Sequence, residues 1–287
     1  MSTSDLTTAE RPRVLTPESA APELPAPLAS RSLTSSTSIL LGSLGFGILF
    51  LLAWQFLPPA LGVPSYIIPT VTDLVRELGR MIQRENLMVH ILSTATIATA
   101  GFVIGSFLGA AMGYILGMSV FIEKVLSPYI LGLQIAPKVA FAPLFIMWLG
   151  YNAWPKLLVT ILVVFFPILV NVLQSMKTVD RDLINLARAY SMSRLQIFWK
   201  IEVPASMPAL MAGLRIGATL AVIGVTVGEL VGGNTGLGYL ITFGEGQANT
   251  AMVFNAIVLL TLVGIVLYAV VAAIEARVLH YIPRAMR

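Results

Sequence analysis

The residues of this sequence best able to do chemistry are few and scattered. Glu229 stands just before the glycine-rich run VGGNTGLGYL, and Lys138 directly follows Pro137, each in an otherwise apolar stretch. An ionisable side chain in a membrane-crossing stretch marks a substrate or ion path by default, because hydrocarbon disfavours an unpaired charge. Both residues therefore read as candidate path residues. The plainer alternatives are that Glu229 lies at an interface, and that Lys138 snorkels or pairs with an acid. Arg215 reads as snorkelling, and His90 and His280 read as isolated residues at the ends of apolar stretches. The sequence has no cysteine, which excludes disulfides and thiolate metal sites. No catalytic residue and no metal ligand set emerges: H-E-x-x-H, G-x-S-x-G and clustered carboxylates are all absent. No G-x-x-x-x-G-K-[ST] occurs either, so the chain carries no P-loop of its own.

A second kind of chemistry, binding, is suggested by ARAYSMSRLQIFWKIEVPASMP, Ala187 to Pro208. It sets Arg188, Arg194, Lys200 and Glu202 among large apolar residues, between two long greasy runs. Asp180 can cap a helix that starts at Arg181 and places Leu183, Leu186, Ala187 and Tyr190 on one face. Ser193 and Gln196 have the spacing of a capping box for a second helix, which Pro204 should end or kink. A short helix with an exposed apolar face suits a groove on another protein. The alternative is that this face packs on the chain's own spans or on the lipid surface.

The elements that must position these residues are membrane spans. The chain has 287 residues, 57% hydrophobic and only 11% charged, with net charge +4, and its mean hydropathy is +0.86. A soluble domain carries about 25% charged residues. A span needs about 20 apolar residues. Six such stretches are predicted, at roughly Ile39–Leu57, Leu92–Gly117, Val125–Leu149, Lys156–Met176, Ala209–Val231 and Met252–Ala273. The third contains Pro137 and Pro143 and should be kinked or broken. Residues 1–37 are rich in Ser, Thr, Pro and Ala and read as a disordered tail, with the membrane-spanning body at 38–287. Between the first two spans, Thr70–Glu85 has helical apolar spacing and a Thr70/Asp73 capping signal; it reads as an amphipathic helix at the outer interface or as a solvated loop helix. Gly101, Gly105, Gly109 and Gly113 form a small-xxx-small repeat, for which packing within one subunit is the expectation. Of the 18 Lys and Arg, twelve fall in segments on the N-terminal side of the membrane, four (Arg76, Arg80, Arg84, Lys156) on the other, and Lys138 and Arg215 within spans. The positive-inside rule then puts both termini in the cytoplasm.

The short amphipathic segment resembles the EAA motif of ABC importer permeases, E-A-A, three residues, G, nine residues, I-x-L-P. Aligned on Pro204 and Ile201, the triplet falls on Asn185, Leu186 and Ala187 and the glycine on Ser191. Ala187, Ile201 and Pro204 match; Asn185, Leu186 and Ser191 depart. IAPKVAFAPLFIMWLGY and the whole run from Phe165 to Ile241 are similar to permeases of the sulfonate, taurine and nitrate type, and the resemblance extends over about residues 60–283. It implies an all-α fold, the MetI-like type I importer permease with six transmembrane helices, in a bacterial inner membrane. It also implies a coupling loop at about 177–208 that docks on a separate ATPase through Asn185, Leu186, Ala187, Arg188, Ser191, Arg194, Ile201 and Pro204. That ATPase, not this chain, would hold ATP and Mg. The further partners implied are an external solute-binding protein, a second permease copy as homodimer and membrane lipid, with no nucleic acid. The expected cargo is a sulfonate, taurine, nitrate or similar anion; a pyrimidine vitamin precursor or riboflavin is the alternative. A secondary transporter working alone is a competing class, opposed by the lack of a second broken helix in an internal repeat. A membrane-embedded enzyme lacks any catalytic constellation.

Overall fold

The computed structural model describes residues 36–281. The expected tail lies outside the described residues except for its last two positions, which open the first helix. The chain divides into two compact units, residues 1–50 and 51–287. The described part of the first is the start of α1 (Ser36–Ala60), where the Ser43 hydroxyl donates to the Leu40 carbonyl at 3.0 Å.

The second unit contains the end of α1, then α2 (Val71–Arg84), α3 (Leu87–Gly117), α4 (Val120–Ile135), α5 (Ala142–Leu149), α6 (Ala153–Lys177), α7 (Arg181–Ala189), α8 (Arg194–Ile197), α9 (Val203–Gly232), α10 (Leu237–Gly246) and α11 (Thr250–Val278). Among the described residues five helices are long and apolar enough to cross a membrane. The sixth predicted span is α4 followed by a 3-10 turn and α5, two arms meeting at 78°. Pro137 makes this break: it has no N–H to give, and it holds Ala136 in the extended region at ψ 137°. Among the described residues the count of such segments therefore reaches six, by length and composition, when the bent pair is taken as one.

Helix α6 is the centre of the bundle. The glycine repeat of α3 lies against one side of it, and the Cβ that glycine lacks explains why. At Gly109 such an atom would sit 2.6 Å from the Phe165 carbonyl oxygen, and at Gly113 2.9 Å from that of Leu169. Helix α9 meets α6 by the same device: a Cβ at Gly224 would lie 2.8 Å from the Thr160 Cα, and at Gly228 2.7 Å from the Lys156 Cα. Small residues let the backbones touch, and dispersion then holds helices together where lipid supplies no hydrophobic drive. The repeat thus packs within the subunit, as expected. Phe102, Val164, Ile168, Ala218, Leu267 and Val271 fill the core around these contacts.

Helix α2 begins at a true capping box: the Asp73 N–H donates to the Thr70 hydroxyl oxygen at 3.2 Å, and the Thr70 N–H to the Asp73 carboxylate at 3.2 Å. The hydrogen bonds from Thr70 hold the Asp73 carboxyl below its ordinary range. One face of α2 is not interfacial but packed. Met81 is wholly buried among Leu87, Leu237, Leu240 and Met252, and Asn255 of α11 donates to the Leu74 carbonyl at 2.9 Å.

Candidate coupling segment and path residues

At the far end of the bundle from α2, the chain leaves α6 and forms α7. Asp180 caps it, accepting the Asp182 N–H at 2.8 Å. The helix stops in a paired hydrogen-bond pattern: the Ser191 N–H donates to the Arg188 carbonyl at 2.9 Å and the Met192 N–H to the Ala187 carbonyl at 3.1 Å. This is a Schellman motif with Ser191 in the left-handed position, φ +56°. The residue aligned with the motif glycine therefore occupies the conformation for which glycine is preferred, and serine accepts the strain. Two residues later the second helix opens with a complete capping box, Gln196 N–H to the Ser193 hydroxyl oxygen at 3.3 Å and Ser193 N–H to the Gln196 side-chain oxygen at 2.8 Å.

Pro204 neither ends nor interrupts this second helix, which runs on from Arg194 to Gly232 with a π-helical turn at Phe198–Glu202. There the Val203 N–H donates to the carbonyl of Phe198, five residues back. The wider turn takes one extra residue immediately before a proline that has no N–H to contribute. Tyr114 of α3 anchors this region, its hydroxyl 2.9 Å from that of Ser206 and its ring edge-on to Phe198 at 5.6 Å.

The expected apolar face is divided. Leu183, Leu186 and Tyr190 point outward and are joined by Leu195 and Trp199, all five between 50% and 77% exposed. Ala187 instead turns inward at 5% exposed, and Ile201 is half-buried. Asn185, Arg188, Ser191, Arg194 and Pro204 are exposed. Arg188 and Arg194 both act electrostatically on Glu202. Sequence reasoning misses Leu195 and Trp199; their i, i+4 spacing after the Ser193 cap is the signal that could find them.

The two path candidates share no partner. Lys138 lies at the α4–α5 break, half-buried, donating to the Gln134 carbonyl with its ammonium 5.0 Å from the Phe166 ring centroid. Among the described residues no carboxylate pairs with it. Glu229 is fully buried at the α2 end. The Thr94 hydroxyl lies 2.9 Å from both of its oxygens, and the Gly238 N–H donates to it at 2.8 Å. Gly236, at φ +114°, lies so close that any Cβ would overlap the carboxylate. The same loop is held from two further sides. Lys156, 2% exposed, donates to the Thr235 carbonyl at 2.9 Å, and the Gly236 N–H donates to the Nδ1 of His90 at 3.1 Å. Glu229 is thus enclosed by groups of its own chain. Lys156 is a buried anchor rather than a loop cation, and His90 is a built-in partner rather than an isolated residue. Arg215 is also paired, with Glu275, and lies over Tyr268.

This architecture has known counterparts. Residues 101–280 match the family described as binding-protein-dependent transport system inner membrane component. The chain is 32% identical to the formylaminopyrimidine transport permease protein ThiX of Halalkalibacterium halodurans, over 80% of this chain and 91% of that one. It is 32% identical to the riboflavin transport system permease protein RibX of Chloroflexus aurantiacus, over 79% and 85% of the two chains. A Bacillus subtilis protein named for aliphatic sulfonate transport, SsuC, is 30% identical over 79% and 83%. In fold, the described bundle resembles the MetNI methionine ABC transporter in an inward facing conformation, with TM-score 0.57 at 17% identity, covering 68% of this chain and 98% of that one. Spans, broken helix and matched residues together lead to one conclusion: the chain belongs to the binding-protein-dependent transport system inner membrane components, and is a non-catalytic, multi-pass inner-membrane permease of an ABC importer.

Proposed function

We propose that this permease moves a small anion, an aliphatic sulfonate, taurine, nitrate or a similar solute, by alternating access, and that α7 with the start of the next helix is the coupling element. Leu183, Leu186, Tyr190, Leu195 and Trp199 seat in a cleft of a cytoplasmic ATPase, which holds ATP and Mg. Arg188 and Arg194 flank them and steer the docking. The observation that carries this reading is the exposed apolar row itself, displayed by two well-capped helices. The α7 end then faces the cytoplasm, the positive-inside count puts both termini there as well, and the α2 end faces an external binding protein. Two copies line one path as a homodimer within the lipid. Lys138, a cation at a broken span with no paired carboxylate among the described residues, favours an anionic cargo.

A second reading, import of a pyrimidine vitamin precursor or riboflavin, is favoured by the two relatives named for those cargoes, each 32% identical. Calorimetry on the cognate external binding protein separates the two. The transport reading is tested in liposomes. Uptake is expected only when ATPase, ATP and binding protein are all supplied, and uphill uptake by the permease alone would overturn it.

A further inference from the structure

Three arginines on α2 are left unexplained by the coupling segment and by the buried cluster around Glu229. Arg76, Arg80 and Arg84 follow one another at four-residue spacing and are all exposed. At about 100° per residue they form one row along the helix. Val75 and Ile82, also exposed, lie on roughly the opposite flank. An apolar flank and a cationic flank on opposite sides fit a helix at the boundary between lipid and water, with the arginines turned to the water. Lys156, the only other cation of the segments on this side, is buried. The exposed positive charge of this end is therefore concentrated in the one row.

The row is held in place. Met81 anchors the helix, and Asn249 donates to the Glu77 carboxylate at 2.8 Å. Between α2 and the turn before α11 lies a polar cleft of about 280 Å³, lined by Arg76, Arg80, Asp73, Glu77, Gln247 and Asn249 among others, the two carboxylates being those paired with the two arginines. Ala248, on the same turn, holds a left-handed φ of +53°, a strained conformation of the kind that gathers at binding surfaces. Arg76 pairs with Asp73 at 3.4 Å, and such an exposed pair contributes about 1 kcal/mol or less, so it exchanges partners readily; Arg80 pairs at 3.0 Å with the buried Glu77 and keeps its own guanidinium exposed. Arg84 makes no ion pair among the described residues.

We infer that this row, with the polar cleft beside it, is the docking surface for an acidic patch of the external binding protein. The inference rests on the importer reading and on the α2 end facing outward. A protein suits the surface better than lipid does, because the cleft offers amide donors and acceptors on the water-facing flank, whereas a headgroup contact would draw the arginines to the flank occupied by Val75 and Ile82.

The test uses the full importer in phosphatidylcholine nanodiscs with its cognate binding protein. In the variant Arg76→Gln/Arg80→Gln/Arg84→Gln, stimulation of ATP hydrolysis at limiting binding protein should fall about tenfold. Hydrolysis without binding protein and assembly with the ATPase should be unchanged. Arg84→Glu alone, which strips no partner of its pair, should give a smaller loss in the same direction. Added salt, which at about 0.1 M shortens screening to about 10 Å, should weaken stimulation of the wild type more than that of the triple variant. Stimulation of the triple variant within about twofold of wild type overturns the inference. So does a defect that appears only when anionic lipid is added, which assigns the row to headgroups. A wild-type chain that recruits no ATPase sinks the importer reading instead, by a different readout.

Discussion

At the α2 end, Glu229, Thr94, Lys156 and His90 direct their polar groups at one another and at loop residues 235–238. At the α7 end, five large apolar side chains face outward around a break made from a Schellman turn and a capping box. The first region is closed: each buried charge has a partner inside the chain, as a low-dielectric site demands. The second is closed in its backbone and open in its side chains. Under the proposed coupling role, this segment, complete in its caps and uncovered on its apolar face, presents a rigid surface to the partner. The contrast teaches that a buried charge and an exposed apolar row answer to different demands: the most conspicuous ionisable residue is bonded within its own chain, and the five large side chains left uncovered at the α7 end are apolar.

Substitutions can break or sharpen this contrast. The largest effect is expected from Glu229→Ala, which leaves the Thr94 hydroxyl and the Gly238 N–H without their acceptor. About 3 kcal/mol should be lost, read as a fall in melting temperature of roughly 6 °C or more in detergent. Glu229→Gln, which keeps an acceptor for Gly238, should lose clearly less. If both melt like the wild type, the α2 end is not the closed region described. At the other end, Leu183→Asp with Leu186→Asp should leave melting within about 2 °C of wild type while weakening ATPase association about tenfold or more, measured by co-purification and titration. A collapse in melting would show that the face is internal after all. The smallest effect is expected for Ser191→Gly, a stabilisation of about 0.5–1 kcal/mol from relief of the left-handed strain, with transport unchanged. A lower melting temperature in that variant would mean that the serine side chain stabilises the turn in some other way.

Much of this can be read from the chain before folding, wherever a short-range rule governs. The broken span follows from Pro137, the α2 and α8 starts from Thr70/Asp73 and Ser193/Gln196, and the Schellman position of Ser191 from the motif count. The rest depends on contacts between distant residues. Thr94 and Glu229 are 135 positions apart, and nothing local in either pairs them. Lys156 looks like a loop cation until α6 begins three residues earlier and carries it inward. Pro204 reads as a stop because the proline rule assumes an α turn ahead of it, and the π turn removes that assumption. Periodicity groups Ala187 with Leu183, but a helix nine residues long resting on a bundle decides its inward edge by packing.

The glycine contacts on both flanks of α6 have a mechanical corollary. Helices meshed at main-chain distance along most of their length cannot act as pistons against one another, since each step would drive a Cα or carbonyl into its neighbour. Under the proposed coupling, a stroke delivered at the α7 end swings α3, α6 and α9 together, like a keel with its planks, and any opening forms along the outer edge of that block.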